Sequence, residues 1–296
     1  MKSWDDFHTE SGETDDLEIL KTFLPEMCYK YRIWEKSFHP EILTKQELYF
    51  SAPLTDFEDP DDCRYPVVFD FSPETLEKNY LYQSRLAGST LSDAQLKSVA
   101  KYLYEERFST PDKQQARKNQ FYELFNQHHG VFCFCKSATE EPMWKGYAAD
   151  FKGFCVGISM RDCLELLPWA GILGGDVTYV DKDFPGLEYI WEIQQKYKEL
   201  PLFILRLLTT KYREWKHEKE YRFVKSIKDA HNRAITKEDR TFIVPKHCYK
   251  EVIFGNQMSE ESKAEIFSAC STQGLQIEFK VASPSSLGMV NIENYK

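Results

Sequence analysis

No stretch of this 296-residue chain is apolar for long enough to cross a bilayer as a helix. The most apolar run, Leu200 to Leu208, is short and contains Arg206, whereas spanning takes about 20 apolar residues. A basic-then-apolar leader is missing too, because the start, MKSWDDFHTESGETDD, is acidic. The expectation is therefore a cytoplasmic protein with no membrane partner. Positive charge is in deficit: the net charge of −9 speaks against a surface built to coat nucleic acid. Zinc-like spacing is also lacking. His128–His129 precedes Cys133 and Cys135, but no second CxxC or HxxxH pair accompanies them, and VFCFC alternates like a buried strand. The eight scattered cysteines then read as reduced core thiols, and no metal site is expected. The glycines of GILGGD lack a strand–GxGxxG–helix setting and read as a loop. No internal repeat is visible.

What the chain does have is the composition of a globular protein, 42% hydrophobic and 29% charged, with 15% aromatic residues to fill a core. Its charge is unevenly spread. Residues 1–20 hold seven acidic groups against Lys2, and residues 54–74 hold seven against Arg64. Residues 195–225 reverse the sign, with nine Lys or Arg against four Glu. Such a basic stretch suits an anion such as a phosphate, and equally suits a solvated helix with internal ion pairs.

Periodicity divides the chain into an acidic tail, 1–20, and one α+β domain, 21–296, with a sheet-centred core of mostly antiparallel strands. Tyr29–Trp34 and Leu48–Ser51 read as strands. A helical insertion spans about 73–129: Pro73–Leu86, then Asp93–Phe108 capped by Ser92 with Gln95, then Pro111–His128 stopped by Gly130. Strands follow at Val131–Cys135, Phe154–Ile158 and Val177–Val180, with a short helix over Pro142–Asp150 that puts Trp144 and Tyr147 on one face. Helical pattern runs from about Leu187 to Leu208, kinked or broken at Pro201. Strands near Glu220–Lys225, Thr241–Val244 and Glu251–Phe254, a helix from Ser259 to Ser271 and a strand Leu275–Val281 complete the reading.

The segment Trp215-Lys-His-Glu-Lys-Glu-Tyr-Arg222 concentrates chemistry. On a strand, Glu218, Glu220 and Arg222 project from one face. A glutamate there can hold a sugar hydroxyl and offset an oxocarbenium charge; a pair can hold a divalent cation; and the three can form a ladder of cross-strand ion pairs. Arg32 on a strand, Ser51 at a strand end and the aromatic pair Trp144 and Tyr147 are further candidates.

In this order the segments resemble a bacterial family called domain of unknown function 2971. The resemblance runs through Tyr29–Arg32, Leu48-Tyr-Phe-Ser-Ala-Pro with Asp59-Pro60, Val131-Phe-Cys-Phe and Met143-Trp with Tyr147-Ala148. It continues through Lys152-Gly-Phe-Cys-Val156, Lys211, Trp215-x-x-Glu218-x-Glu220-Tyr-Arg222 and Val252-Ile-Phe-Gly255. Two positions depart from it: Glu58 stands where the family usually has Asn before Asp-Pro, and Phe151 where it often has His before Lys-Gly.

The pattern is also similar to the ADP-ribosyltransferase fold, which has a basic residue on the first strand, a Ser or Tyr on a later one, and a Glu or Glu-x-Glu last. The resemblance implies an NAD-cleaving transferase or glycohydrolase, such as a toxin or host-defence effector. NAD, a dinucleotide, would be the substrate, and a protein or nucleic acid could be the acceptor. Glu220 would be the principal catalytic residue and Glu218 secondary. Arg32, Ser51, Trp144, Tyr147 and Arg222 would contact the dinucleotide, with Arg32 or Arg222 on its pyrophosphate and Tyr147 or Trp144 on nicotinamide. Two other readings stand beside this one. The first is a magnesium-dependent nuclease using Asp59, Asp61, Asp62, Glu218 and Glu220, with Lys219 near the phosphate. The second is a non-catalytic sensor or binding protein.

Overall fold

Strand-forming alternation and well-capped helices assemble around one large sheet. The structure is a computed structural model that describes residues 21–22, 24–57, 59, 61–63, 67–184, 187–189, 200–227, 233–285 and 289–295. The acidic tail and Glu58 lie outside the described residues.

In chain order, β1 (Cys28–Arg32) is followed by the one-turn α1 (Glu41–Thr44), β2 (Glu47–Tyr49) and β3 (Val67–Phe69). Three helices come next: α2 (Pro73–Leu86), α3 (Asp93–Arg107) and α4 (Pro111–His128). Their starts are written locally. Ser72, Ser92 and Thr110 each accept a backbone N–H of the first turn, and Ser92 with Gln95 closes a reciprocal capping box. The chain then forms β4 (His129–Cys135), α5 (Glu141–Tyr147), β5 (Phe154–Ile158), α6 (Leu166–Trp169), β6 (Ile172–Asp176), β7 (Thr178–Val180) and β8 (Leu187–Tyr189). After α7 (Leu200–Leu208) and β9 (Thr210–Tyr212) comes a 3-10 turn, Arg213–Glu218, leading into β10 (Glu220–Ser226). The last elements are β11 (Thr241–Ile243), β12 (Tyr249–Gly255), α8 (Glu260–Gln273), β13 (Glu278–Pro284) and β14 (Val290–Asn294).

Eight strands form the main sheet in the order β14-β13-β12-β5-β1-β4-β10-β6. Only β12 and β13 run parallel, joined through α8; the other neighbours are antiparallel, so the protein is α+β. Alternation sends Phe132, Phe134, Tyr221 and Phe223 into a core that α8 covers with Ile266 and Cys270. The opposite side is divided between a cluster around Tyr31, Trp144 and Phe151 and another around Val131, Val224 and the α7 leucines.

Several expectations need correction. β2 pairs with β11 in a separate two-stranded sheet, and only Ser51 reaches the main sheet, bridging Val131 of β4. GILGGD is a strand, β6. Its Gly174 admits the buried Tyr221 ring, since a Cβ there would sit 2.6 Å from the Tyr221 hydroxyl. Gly130 does not stop α4; it is already inside β4, pressed against Phe50. Leu187 starts a strand, so the helical pattern is limited, among described residues, to α7 with Pro201 in its first turn. The strand read at Leu275–Val281 starts later, at Glu278, and is followed by a further strand, β14.

Gly255 is a close approach between backbones. A Cβ there would lie 2.0 Å from the Phe151 carbonyl oxygen, a clash no side-chain rotation relieves. Gly255→Ala should therefore destabilise the fold by about 1–3 kcal/mol, the usual cost of overpacking. A urea midpoint unchanged from wild type would show that the Phe151 loop yields freely.

Candidate functional site

The central sheet is incompletely zipped, and the site lies in the gap. β1 pairs with β5 over five positions and β10 with β4 over seven, but β1 meets β4 at a single pair, Tyr29↔Cys135. Further along, the free edge of β4 is taken by Ser51, whose backbone exchanges two 2.9 Å hydrogen bonds with Val131. Between these two contacts the Cys133 carbonyl accepts from the Lys30 ammonium at 2.6 Å instead of from a strand partner. The resulting cleft encloses about 350 Å³. Arg32, Ser51, Tyr147, Glu218 and Glu220 all line it, drawn from four separate stretches of chain.

Glu218 does not share a strand with Glu220, contrary to the expectation. It ends the 3-10 turn, and Lys219 then takes a left-handed conformation (φ 45°) before β10 begins. This kink brings the two carboxylates together by a different route. Lys211, from β9, donates to Glu218 Oε2 at 2.6 Å and lies 3.2 Å from Asp62 and 3.5 Å from Glu220 Oε2. Arg222 reaches Asp62 at 2.8 Å and Glu220 Oε2 at 2.9 Å, and donates to the Leu208 carbonyl at 2.8 Å. Tyr147 donates its hydroxyl to Glu218 Oε1 at 2.5 Å. All five charged groups are buried. Three carboxylates face two cations, leaving one excess negative charge when all are ionised.

This environment splits the two glutamates. Burial disfavours the Glu220 anion, but Arg222 and Lys211 outweigh burial and hold its carboxyl below the ordinary glutamate range. Glu218 moves the other way: burial and then repulsion from Glu220 raise it, against the pull of Lys211 and the Tyr147 hydrogen bond. Glu220 is thus held ionised and Glu218 is made the more basic of the two, a division found in acid–base pairs.

Two of the proposed dinucleotide contacts are not available to a ligand. Trp144 is fully buried, stacked on Phe151 at 5.4 Å with its indole N–H given to the Ala138 carbonyl. It packs the interior while Tyr147, one turn on and 44% exposed, lines the cleft. Phe151, the departure from the family pattern, is part of that stack and 1% exposed. Arg222 is 0% exposed, with β4 and β6 on either side of its strand, so it serves as an internal counter-ion instead of a pyrophosphate ligand. From sequence, Asp62 is a candidate for magnesium only, and Lys30 appears only within the stretch Tyr29–Arg32. Of the cluster, only Lys211 enters through the family resemblance alone.

Of the acidic groups weighed as magnesium ligands, Asp62 joins Glu218 and Glu220, and Asp59 lines the same cleft. Asp61 is exposed, and Lys219 is paired with Glu140 at 2.7 Å. The Lys211 ammonium sits among the three converging carboxylates, where a divalent ion would have to displace it. Among the described residues no group of three or more His, Cys, Asp or Glu is arranged to hold a metal ion, and all eight cysteines are free thiols.

A family model described as protein of unknown function (DUF2971) matches residues 143–223, the stretch that carries Tyr147, Lys211, Glu218, Glu220 and Arg222. The match supports the resemblance to that family over these residues. No curated protein and no solved structure matches the chain.

Removing Arg222 leaves Asp62 and Glu220 as neighbouring buried anions with Lys211 alone to balance them. Arg222→Met should cost about 3–5 kcal/mol of stability. Combining it with Glu220→Gln should cost less than the two changes summed; strict additivity in denaturant unfolding would deny the coupling. The pH dependence follows from the sign of the shift. Glu220 titrates lower folded than unfolded, so its stabilisation is complete above the ordinary glutamate value and disappears as pH falls through the folded one.

Proposed function

We propose that the protein cleaves the nicotinamide–ribose bond of NAD, releasing nicotinamide and passing ADP-ribose to water or to an acceptor. The observation that carries this reading is the meeting, in one cleft, of Arg32, Ser51 and Tyr147 with Glu218 and Glu220. As the glycosidic bond breaks, its electron pair leaves with the pyridinium nitrogen and positive charge develops on the ribose. A carboxylate kept anionic by Arg222 and Lys211 is suited to accept a hydrogen bond from the ribose 2′-hydroxyl and to offset that charge where water is largely excluded. Glu218, the more basic of the two, can take the proton of the attacking water or acceptor group. For water the balance is NAD plus water giving nicotinamide, ADP-ribose and a proton.

Tyr147 stands at the hinge between these roles, with an aromatic ring to face a planar leaving group and a hydroxyl that orients Glu218. The magnesium-dependent nuclease has less support, because the Lys211 ammonium already stands among the carboxylates that would hold the metal.

Purified protein mixed with NAD should release nicotinamide, and Glu220→Gln should reduce that rate by roughly 10²–10³ while leaving the fold intact. A folded Glu220→Gln protein with full turnover, or a wild type that leaves NAD intact, would overturn the reading.

Glu218 must be ionised to act as a base, so activity should rise with pH through its raised value. Tyr147→Phe deletes a hydrogen bond that favours the charged carboxylate, and should move the acidic limb of the pH–rate profile to higher pH. A limb that stayed in place would assign it to another group.

A further inference from the structure

Lys30 and Arg32 project from the same side of β1, and both lie over the ring of Phe132, at 4.7 and 6.0 Å from its centroid. Both line the cleft, yet among the described residues neither has a carboxylate within ion-pair distance. The contrast with Lys211 and Arg222, each neutralised by acidic partners in the same cleft, is sharp. Two like charges gathered on one ring without a counter-ion repel each other and lose solvation, which is tolerable where an anion arrives to complete them. An ammonium has three donors. One of Lys30's is spent on the Cys133 carbonyl, leaving two for a ligand. The guanidinium of Arg32 presents a planar fork suited to two oxyanion oxygens.

We propose that Lys30 and Arg32 form the binding site for a phosphoryl oxyanion of the ligand, and that this anion enters together with a proton taken from solvent onto the Lys30 amine. The inference rests on the cleft being the ligand site of the reading above, and adds to it the residue and the proton linkage of the anion end.

Burial and neighbouring charge explain why the proton is needed. Around Lys30 stand Arg32 on its own strand, His39 and Lys36 beyond it, Cys133 on β4, Glu218 on the 3-10 turn and Glu220 on β10. Burial and then the Arg32 charge push the Lys30 amine down to about 7, against weaker upward pulls from Cys133, Glu220 and Glu218. Arg32 itself is lowered by burial to about 10 and stays charged at neutral pH. His39, lowered to about 3 chiefly by burial, stays neutral and adds no competing titration. Above neutrality the empty cleft therefore holds a neutral Lys30, whose lone pair opposes an anion until it is protonated.

Calorimetric titration with ADP-ribose tests this, because its diphosphate diester does not titrate near neutrality. Sulfate, a dianion throughout the same range, serves as competitor to separate the anion site from sugar and base contacts. Wild-type affinity should be level below neutral pH and then fall by up to about tenfold per pH unit above it. The observed heat should vary with the ionisation enthalpy of the buffer, reporting proton uptake. Lys30→Arg keeps its charge and should bind with no such decline. Lys30→Met should bind at least about tenfold more weakly at neutral pH, with little pH dependence. Should Lys30→Met fail to fold, the comparison of wild type with Lys30→Arg decides alone. The proposal is overturned if wild-type affinity for ADP-ribose and sulfate is flat above neutrality, if neither binds, or if Lys30→Met binds as wild type does. Nicotinamide release is read separately: NAD left intact beside proton-linked anion binding would sink the transferase reading and leave this site standing.

Discussion

Lys211 makes the arrangement of acidic groups tenable. Asp62, Glu218 and Glu220 converge in a space with little access to water, and such a cluster would repel itself apart without cations inside it. Lys211 touches all three, and Arg222 closes the side away from the cleft by binding Asp62 and Glu220 together. A buried network of this kind adds little net stability compared with apolar packing, but it is costly to break. Its return is specificity of position and of charge: one carboxylate is kept ionised, its neighbour is left easier to protonate, and both face the same cleft.

That cleft depends on a second constraint, the failure of β1 and β4 to pair beyond one position. Lys30 satisfies a β4 carbonyl, and Ser51 pairs with β4 further along. The gap is thus held open by specific contacts on both sides. The acidic cluster stands at one side of it, and at the other stand Lys30 and Arg32, which among the described residues have no carboxylate within ion-pair distance. A ligand carrying oxyanions at one end and developing positive charge at the other matches that polarity.

Local chemistry explains what could be read in advance. Pro73–Leu86 and Pro111–His128 carry their own N-caps, Phe154–Ile158 is a short continuous apolar run, and the structure reproduces those bounds. Glu218 and Glu220 are legible as alternate acids followed by Arg222, but their placement on two different elements is not. The left-handed Lys219 that ends the 3-10 turn leaves no mark in a two-residue alternation. Trp144 and Tyr147 looked equivalent at helical spacing, and only tertiary packing separates the sealed indole from the exposed phenol. Arg222 could not be recognised as an internal counter-ion without the distant Asp62, 160 residues away in the chain. The role of Lys30 is not legible in the sequence, because it depends on having, among the described residues, no carboxylate within ion-pair distance in the folded cleft.

Arg222 and Lys211 hold Glu220 ionised, while burial and repulsion from Glu220 raise the neighbouring Glu218. Carbon-13 NMR titration of side-chain carboxyl-labelled glutamates measures this directly, with the two signals assigned by their loss in Glu218→Gln and Glu220→Gln. Glu220 should remain ionised well below the ordinary glutamate range and Glu218 should titrate above the ordinary glutamate value. Two signals that titrate together near the ordinary value, or in the reverse order, would contradict it.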